Sequence, residues 1–187
     1  MKTLKFLMVL FTALVFAQVS KAQTGITLGL RAGTNYSNLY GNPSTFDRKG
    51  KTGIVAGVFA RLGDRLYIEP GVNFISYGSK FDFQNQRYDA KFNQIQVPLL
   101  VGYKFIDRES FNVHAGAGAE FGFNLNKPVK VQNFAYKDFT TAGKIAAGVD
   151  FKNFLIDLGY SYSIAKVNKS LDQRAGIYSC TIGYKFW

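Results

Sequence analysis

The sequence predicts an all-β protein, an eight-stranded antiparallel transmembrane β-barrel. Two observations lead to this prediction: eight stretches alternate between apolar and small or polar residues, and the connections between them are in turn short and long. Side chains of a strand point to opposite faces with a period of two, so each stretch has one apolar face and one polar or small face. Such a strand suits a barrel with lipid outside and water or packed polar groups inside.

The apolar face of each stretch can be read directly from the chain. In order, these faces are Ile26, Leu28, Leu30, Ala32 and Tyr36; Ile54, Ala56, Val58, Ala60 and Leu62; Leu66, Ile68, Pro70, Val72 and Phe74; Ile95, Val97, Leu99, Val101, Tyr103 and Phe105; Phe111, Val113, Ala115, Ala117, Ala119, Phe121 and Phe123; Ile145, Ala147, Val149 and Phe151; Phe154, Ile156, Leu158, Tyr160, Tyr162 and Ile164; Tyr178, Cys180, Ile182, Tyr184 and Phe186.

Two of these stretches contain proline, at Pro70 and Pro98. Proline cannot donate a hydrogen bond to a neighbouring strand. Because the alternation continues on both sides of each proline, we expect a bulge or a local twist there and not the end of a strand.

The connections predict how the barrel is oriented. Short links occur at 63–64, 106–109 and 152–153, and long polar stretches at 37–51, 78–92, 125–139 and 165–174. Short periplasmic turns, long outside loops and both termini in the periplasm are typical of outer-membrane barrels. A soluble up-and-down barrel also has eight strands. The glycine-rich second face, which would fill a narrow interior and not a soluble exterior, favours the membrane barrel.

Residues 1–22 have the pattern of a signal peptide. Lys2 and Lys5 precede an apolar core, and small residues flank Lys21 at Ser20 and Ala22, where a signal peptidase would cut. The alternative is an N-terminal membrane anchor, for which the apolar core is short. The sequence therefore predicts an exported protein with a barrel domain at 23–187.

Charged residues fall mainly on the small face and in the long connections. The face predicted to line the lumen carries a polar network of Arg31, Arg61, Glu69, Lys104, His114, Glu120, Lys144, Asp150, Asp157 and Lys185. Its cations and carboxylates nearly balance, and an eight-stranded barrel has room for side chains and little else. We therefore expect a plugged lumen and no diffusion pore.

The net charge of +11 comes largely from bases in the long connections. Bases at these positions predict contact with outer-membrane lipid and with glycolipid phosphates, through charge-assisted hydrogen bonds. The alternative is a solvated face that keeps the protein soluble by its charge. Nucleic-acid binding is not expected, because no recognition helix or aromatic platform accompanies the bases.

The sequence offers little material for catalysis. It has one histidine, His114, and one cysteine, Cys180, which the alternation places on opposite faces. A Ser-His-Asp arrangement would have to use His114, and the pair does not form a typical metal site. We therefore expect no enzymatic activity, no metal and no cofactor; a small lipid-modifying enzyme in the barrel wall is the alternative.

Four motifs resemble the outer membrane protein beta-barrel domain family that includes PorT-like proteins. They are Gly29-Leu-Arg-Ala-Gly33, Tyr67-Ile-Glu-Pro-Gly71, Gln96-Val-Pro-Leu-Leu-Val-Gly-Tyr103 and Ile182-Gly-Tyr-Lys-Phe186. The resemblance implies an integral outer-membrane protein with a structural or interaction role. Since some relatives are linked to protein secretion, a role as an accessory of a secretion system is the alternative that it implies.

The end of the chain predicts a second interaction. Tyr184 and Phe186 lie on the apolar face of the last stretch and Trp187 follows them. Aromatic residues at this position belong to the interfacial girdle of outer-membrane barrels. We expect Tyr184, Phe186 and Trp187 to form the signal for the barrel-assembly machinery, which would read either Phe186 or Trp187.

Overall fold

The computed structural model describes residues 25–40, 48–83, 86–125, 139–164 and 174–186. They form eight strands: β1 (Ile26–Tyr40), β2 (Arg48–Leu62), β3 (Leu66–Phe83), β4 (Gln86–Arg108), β5 (Phe111–Asn124), β6 (Phe139–Phe151), β7 (Phe154–Ser163) and β8 (Arg174–Lys185). Each strand pairs antiparallel with the next, and β8 pairs antiparallel with β1. The fold is the closed barrel predicted. The proposed signal peptide at 1–22 and Trp187 lie outside the described residues.

The two faces of the barrel separate as the alternation predicts. On β2, Ile54 is 58% exposed on the outside, whereas the next residue, Val55, is 5% exposed and points into the lumen. Cys180 is exposed on the outer face of β8, as expected. The large hydrophobic side chains that are exposed come from every strand, so a continuous apolar surface surrounds the barrel. Such a surface is stable against lipid and not against water.

The strands are staggered around the barrel. Following directly paired residues from Ile26 once around the barrel returns to β1 ten residues further on, at Tyr36; the residues passed are Leu62, Ile68, Val101, Ala117, Ile145, Tyr160 and Tyr178. A closed sheet requires such a stagger, because its strands must tilt relative to the barrel axis.

The bulges do not occur at the prolines, so the expectation stated for Pro70 and Pro98 is wrong on that point. The register between β3 and β4 is the same on both sides of the two prolines. Register shifts occur instead between Gly50 and Ile54 of β2 and between Lys104 and Ile106 of β4. The proline rings are accommodated within continuous strands, and the bulges lie where strands approach the barrel rims.

The connection predicted at 78–92 is mostly a β-hairpin. β3 and β4 stay paired up to Phe83 and Gln86. The polar composition that suggested a loop has another cause: on β3, the apolar positions switch from even numbers up to Phe74 to odd numbers from Ile75. The change of phase interrupts the alternation by which a strand is recognised, so this part of the sequence resembles a loop although a strand forms.

The backbone register of this hairpin pairs Lys80 with Asp89 and Asp82 with Arg87. The neighbouring strands are also longer than predicted, since β1 continues to Tyr40, β2 begins at Arg48, β6 at Phe139 and β8 at Arg174.

One end of the barrel holds three short turns together with both ends of the sheet. Gly63 N–H donates to the carbonyl of Gly25 at 2.7 Å, and Lys185 N–H donates to the carbonyl of Asn153 at 2.7 Å. Gly63 has φ +115°, a conformation that glycine adopts at little cost, and Lys152 has φ 52°. We call this end the turn end and the opposite one the loop end.

Aromatic residues form a girdle near each end. At the turn end, Tyr103 contacts Phe105, and Tyr184 contacts both Phe154 and Phe186, with ring centroids 5.4–5.9 Å apart. Towards the loop end, Phe139 contacts Phe121 and Phe123, and the ring centroids of Tyr160 and Tyr178 lie 4.6 Å apart. Paired aromatic girdles mark the two interfaces of an outer-membrane barrel. In the described ranges, no helix is long and apolar enough to cross a membrane.

The free-energy cost of a charged residue on the lipid-facing surface should depend on its depth in the membrane. Ile145 lies mid-strand and Leu66 at the turn end, with similar exposures of 59% and 67%. Ile145→Arg should lower the free energy of unfolding by about 2–4 kcal/mol, whereas the matched control Leu66→Arg should cost about 0–1 kcal/mol, because a charge near an interface reaches water. Urea titration in lipid vesicles measures both. Equal costs at the two positions would contradict the assignment of the membrane-spanning band.

Candidate functional site

The lumen at the turn end is filled by a group of charged side chains centred on Arg61. This residue is 2% exposed and is the largest fully buried side chain described. Its Nη2 lies 2.9 Å from Glu69 Oε2, and its Nη1 donates to Asp150 Oδ2 at 2.9 Å. A guanidinium can donate in several fixed directions at once. Arg61 therefore links β2 with β3 and, across the lumen, with β6.

Asp150 is the acceptor on which most of these donors converge. Its Oδ2 accepts from Arg61 and, at 3.1 Å, from Lys185 Nζ, while its Oδ1 lies 3.2 Å from His114 Nε2. The side chain is 1% exposed. A carboxylate buried to this extent is stable only when it is paired and hydrogen-bonded.

The hydrogen bonds of His114 determine which of its ring nitrogens carries the proton. Tyr67 Oη lies 3.1 Å from Nδ1, and Asp150 Oδ1 lies 3.2 Å from Nε2. We assign the proton of the neutral ring to Nε2, which donates to Asp150, and Nδ1 as the acceptor for the Tyr67 hydroxyl, because this tautomer satisfies both contacts. Arg61 Nη2, which lies 3.4 Å from Nε2, then donates to Glu69 and not to the ring. Asp157 Oδ1 is 3.4 Å from the same Nε2. One N–H cannot serve both carboxylates equally.

Arg31 extends the group towards the middle of the lumen. Its Nη1 donates to Glu69 Oε1 at 3.0 Å and lies 3.8 Å from Asp157 Oδ2. Glu69 is thus held between Arg31 and Arg61, and each of its oxygens has a cationic donor. Arg31, Arg61, Glu69, His114, Asp150, Asp157 and Lys185 form one connected set, which we call the ionic cluster.

Two aromatic residues that were not predicted to belong to the network complete this cluster. The guanidinium carbon of Arg61 lies 4.7 Å from the ring centre of Tyr67 and 5.7 Å from that of Phe59, and that of Arg31 lies 5.0 Å from Phe59. Such contacts favour a cation over a ring face. The sequence did carry a signal, since both aromatics lie on the same face of their strands as Arg61 and Glu69.

Glycines leave the space that this cluster fills. A Cβ at Gly102 would overlap the ring of Tyr67, and one at Gly148 would overlap Asp157 Oδ1. The small residues of the lumenal face are therefore matched to large ones on neighbouring strands, and the cluster occupies volume that side chains there would otherwise take.

Two predicted residues, Glu120 and Lys144, form a separate pair nearer the loop end. Lys144 Nζ donates to Glu120 Oε2 at 2.7 Å. Uncharged groups surround this level of the lumen: Gln96 donates to Gln94 at 3.1 Å, and Gln94 donates to Thr140 at 2.8 Å.

Lys104 does not join the cluster to which the sequence assigned it. Its Nζ lies 3.6 Å from Asp107 Oδ1, with side-chain exposures of 15% and 29% for the two residues. The bulge between Lys104 and Ile106 lies at this rim, where the lysine reaches a partner on its own strand. The ten predicted residues are therefore divided into the cluster of seven, the Glu120–Lys144 pair and Lys104.

Towards the loop end, apolar side chains of β2, β3, β4 and β8 pack together on one side of the lumen. Val55, Ile75, Tyr77, Phe92 and Ile177 form one buried set. The rings of Tyr77 and Phe92 stack with centroids 5.2 Å apart, and Phe92 is 0% exposed. Val55 and Tyr77 lie on the face that the alternation assigned to the lumen, whereas Phe92 falls within the connection predicted at 78–92.

The remaining predicted site is the end of the chain. Tyr184 and Phe186 are outward-facing, with ring centroids 5.9 Å apart. Trp187 lies outside the described residues, so its predicted part in the assembly signal stays a prediction. In the ranges that the structure describes, no group of His, Cys, Asp and Glu side chains is arranged to hold a metal ion.

The closed sheet, apolar exterior and ion-paired lumen define an outer-membrane barrel. A model of the outer membrane protein beta-barrel domain family matches residues 16–168, from before β1 to just beyond β7. The chain belongs to this family and is a transmembrane protein of the outer membrane. A comparison with curated proteins gave no match.

Solved structures show the same fold at low sequence identity. Neisserial surface protein A is 18% identical with a TM-score of 0.55, and Ail of Yersinia pestis, solved with the heparin analogue sucrose octasulfate, is 18% identical with a TM-score of 0.52. Both matches cover 87% of this chain and 100% of the other. The outer membrane enzyme PagL is 14% identical over 86% of this chain and 97% of its own, with a TM-score of 0.46, which is too low to support an argument.

The ionic cluster predicts unequal costs for two similar substitutions. Asp150→Asn should lower the free energy of unfolding by about 3–5 kcal/mol, because it leaves buried cations without their acceptor. Asp107→Asn is the matched control; its partner Lys104 is 3.6 Å away in a partly exposed pair, so its cost should stay below about 1 kcal/mol. Unfolding in lipid vesicles measures both. A loss below about 1 kcal/mol for Asp150→Asn would contradict the central place of this carboxylate.

Proposed function

We propose that this outer-membrane protein is a non-enzymatic barrel, closed to ion flow, that interacts through its loop end with anionic glycolipid. The observation that carries the proposal is the filled lumen. Arg61, Glu69 and Asp150 are each at most 3% exposed, and they join side chains from opposite walls of the barrel. Since the interior is occupied by paired charges, we infer that the protein acts through its surface.

We propose further that the turn end faces the periplasm. Both ends of the sheet and the three short turns lie together at this end, and short turns are the periplasmic connections of bacterial barrels. A signal peptide at 1–22 would deliver the chain to that compartment, where the barrel-assembly machinery would read Tyr184 and either Phe186 or Trp187. The loop end would then face outwards.

Charge supports the choice of an anionic partner. The long connections together carry more bases than acids and account for most of the net charge of +11. Bases without nearby acids in sequence occur between β5 and β6, at Lys127 and Lys130, outside the described residues. Clustered cations bind phosphate or sulfate by charge-assisted hydrogen bonds. Ail, which shares the fold, was solved with a sulfated heparin analogue.

Binding at the loop end predicts an asymmetry between the two ends of the barrel. Lys127→Glu and Lys130→Glu together should weaken binding to vesicles that contain a phosphate-bearing glycolipid by roughly tenfold at low salt, with the difference shrinking as salt is added. Arg65→Glu and Lys152→Glu, the same change at the turn end, form the matched control. Flotation of proteoliposomes measures both sets. Equal losses would show unspecific attraction, and no loss would exclude these bases from recognition.

The contacts of His114 argue against the alternative function, catalysis. The ring is 4% exposed and faces the lumen, and its nitrogens contact Tyr67, Arg61, Asp150 and Asp157. A triad needs a serine hydroxyl at one ring nitrogen. A lipid-modifying site would also have to reach the bilayer. The outer face of the barrel contacts lipid, whereas the ionic cluster lies in the lumen.

Because we propose that the protein is not an enzyme, we expect that replacing His114 leaves the lipid composition of the cell unchanged. His114→Gln should leave the lipid composition of cells that produce the protein unchanged, because the ring serves the ionic cluster. Mass spectrometry of outer-membrane lipids measures this, with cells that lack the protein as the reference. A profile that changes on production of the wild type and reverts with His114→Gln would establish an enzyme.

A second candidate function is that of a secretion-system accessory. It is supported by the resemblance of four strand motifs, from Gly29–Gly33 to Ile182–Phe186, to the family that includes PorT-like proteins. An accessory should bring partner proteins through purification in mild detergent, whereas a barrel that binds glycolipid alone should not.

A further inference from the structure

The aromatic girdle at the loop end differs from one side of the barrel to the other. Among the described side chains, its outward aromatics on β7, β8 and β1 are tyrosines, which we call the tyrosine sector: Tyr160, Tyr162, Tyr178 and Tyr36. On β5 and β6 they are phenylalanines, which we call the phenylalanine sector: Phe121, Phe123 and Phe139. A tyrosine hydroxyl donates and accepts hydrogen bonds, and a phenylalanine ring has no such group. The capacity to bind lipid headgroups is therefore greater on one side.

The tyrosine sector crosses the seam between β8 and β1. Tyr178 pairs directly with Tyr160 on one side and with Tyr36 on the other. The side chains of Tyr178 and Tyr36 are 53% and 47% exposed. Because neighbouring strands lie roughly 5 Å apart, the three positions extend over roughly 10 Å of the barrel wall. They form one continuous outward surface.

The hydroxyl of Tyr36 is directed towards the loop end. Tyr36 pairs with Thr52 of β2, and Gly50 lies two residues nearer the loop end. A Cβ at Gly50 would overlap both the ring and the hydroxyl of Tyr36, so the side chain leans over this glycine. An interfacial tyrosine has its apolar ring against lipid and its hydroxyl in the polar region. The orientation of Tyr36 matches that arrangement.

The tyrosine sector also has a cation above it. Arg174, the first residue of β8, is exposed and shares the outward face with Tyr178, which lies four residues and roughly 13 Å further along the strand. The strands of the phenylalanine sector differ in this respect. β5 contains no lysine or arginine, and the one lysine of β6, Lys144, pairs with Glu120 in the lumen. Positive charge and hydroxyl groups therefore occur on the same side of the described barrel.

From this arrangement we propose that the tyrosine sector and Arg174 bind the headgroup of one phosphate-bearing glycolipid against the side of the barrel. The inference rests on the proposed binding of glycolipid at the loop end and adds where on the barrel wall the lipid lies. The tyrosine hydroxyls donate to phosphate and sugar oxygens, and the guanidinium of Arg174 pairs with a phosphate. A phosphorylated sugar headgroup offers acceptors across the width of three strands, whereas a phospholipid offers one phosphate.

Two threonines provide matched reporter positions for the test. Thr52 pairs with Tyr36 of the tyrosine sector, and Thr141 pairs with Phe121 of the phenylalanine sector. Thr52→Cys and Thr141→Cys, each in a Cys180→Ala background, give single thiols that carry a fluorophore. Each protein is reconstituted in phospholipid vesicles containing a small fraction of either a phosphate-bearing glycolipid or a phospholipid with a quenching nitroxide on one acyl chain. Heat-modifiable migration on a gel verifies folding.

The nitroxide glycolipid should quench the fluorophore at position 52 more strongly than at position 141, and the nitroxide phospholipid should quench both alike. Tyr36→Phe with Tyr178→Phe should lower the apparent glycolipid affinity at position 52 roughly tenfold, because hydrogen bonds to a charged group are lost while the rings remain. Arg174→Gln should lower it as well.

Two results would overturn the site and leave the proposed function standing. One is glycolipid quenching that exceeds phospholipid quenching equally at positions 52 and 141. The other is an unchanged affinity when Tyr36 and Tyr178 are both replaced by phenylalanine. Glycolipid quenching no stronger than phospholipid quenching at either position would instead overturn the proposed binding of glycolipid itself.

Discussion

The pairing of β1 with β8 is the constraint on which the structure depends. Lipid offers the backbone no hydrogen-bond partners, so a sheet in a membrane cannot have a free edge. The seam runs from Gly29 opposite Lys185 to Tyr40 opposite Arg174. Once it is closed, each strand has one face towards lipid and one towards the lumen, and the alternation of the sequence becomes a distinction between outside and inside.

The narrow interior explains the composition of the lumen. Buried ion pairs are costly unless nearly every donor and acceptor is used. Arg61 meets this requirement with Glu69, Asp150 and the faces of two aromatic rings. The cluster also joins strands that are distant around the sheet, because Arg61 of β2 pairs with Asp150 of β6 across the lumen. The ion pairs in the lumen therefore stabilise the barrel, as an apolar core stabilises a soluble protein.

Much of this architecture could be predicted from the sequence, because a period of two is a local property. The eight strands, their faces and the ionisable residues of the lumen follow from it. The extent of the β3–β4 hairpin did not, since the apolar positions of β3 change from even to odd numbers at Ile75 and the interrupted alternation resembles a loop. The bulge beside Lys104 and the partners of each charge depend on register, which emerges only when all eight strands close together.

The contribution of Phe59 and Tyr67 was missed for a related reason. Phe59 and Tyr67 each contact an arginine of a neighbouring strand, Arg31 and Arg61 respectively, and these contacts depend on the register between strands.

That stagger has a consequence for the width of the barrel. A sheet of eight strands that returns ten residues further along β1 has its tilt, and hence its diameter, fixed by backbone geometry. Side chains in the lumen then determine whether the lumen is blocked, but they do not change its diameter. Evolution could convert such a barrel between a solid rod and a narrow conduit by exchanging lumenal residues alone, while every contact with lipid stayed as it is.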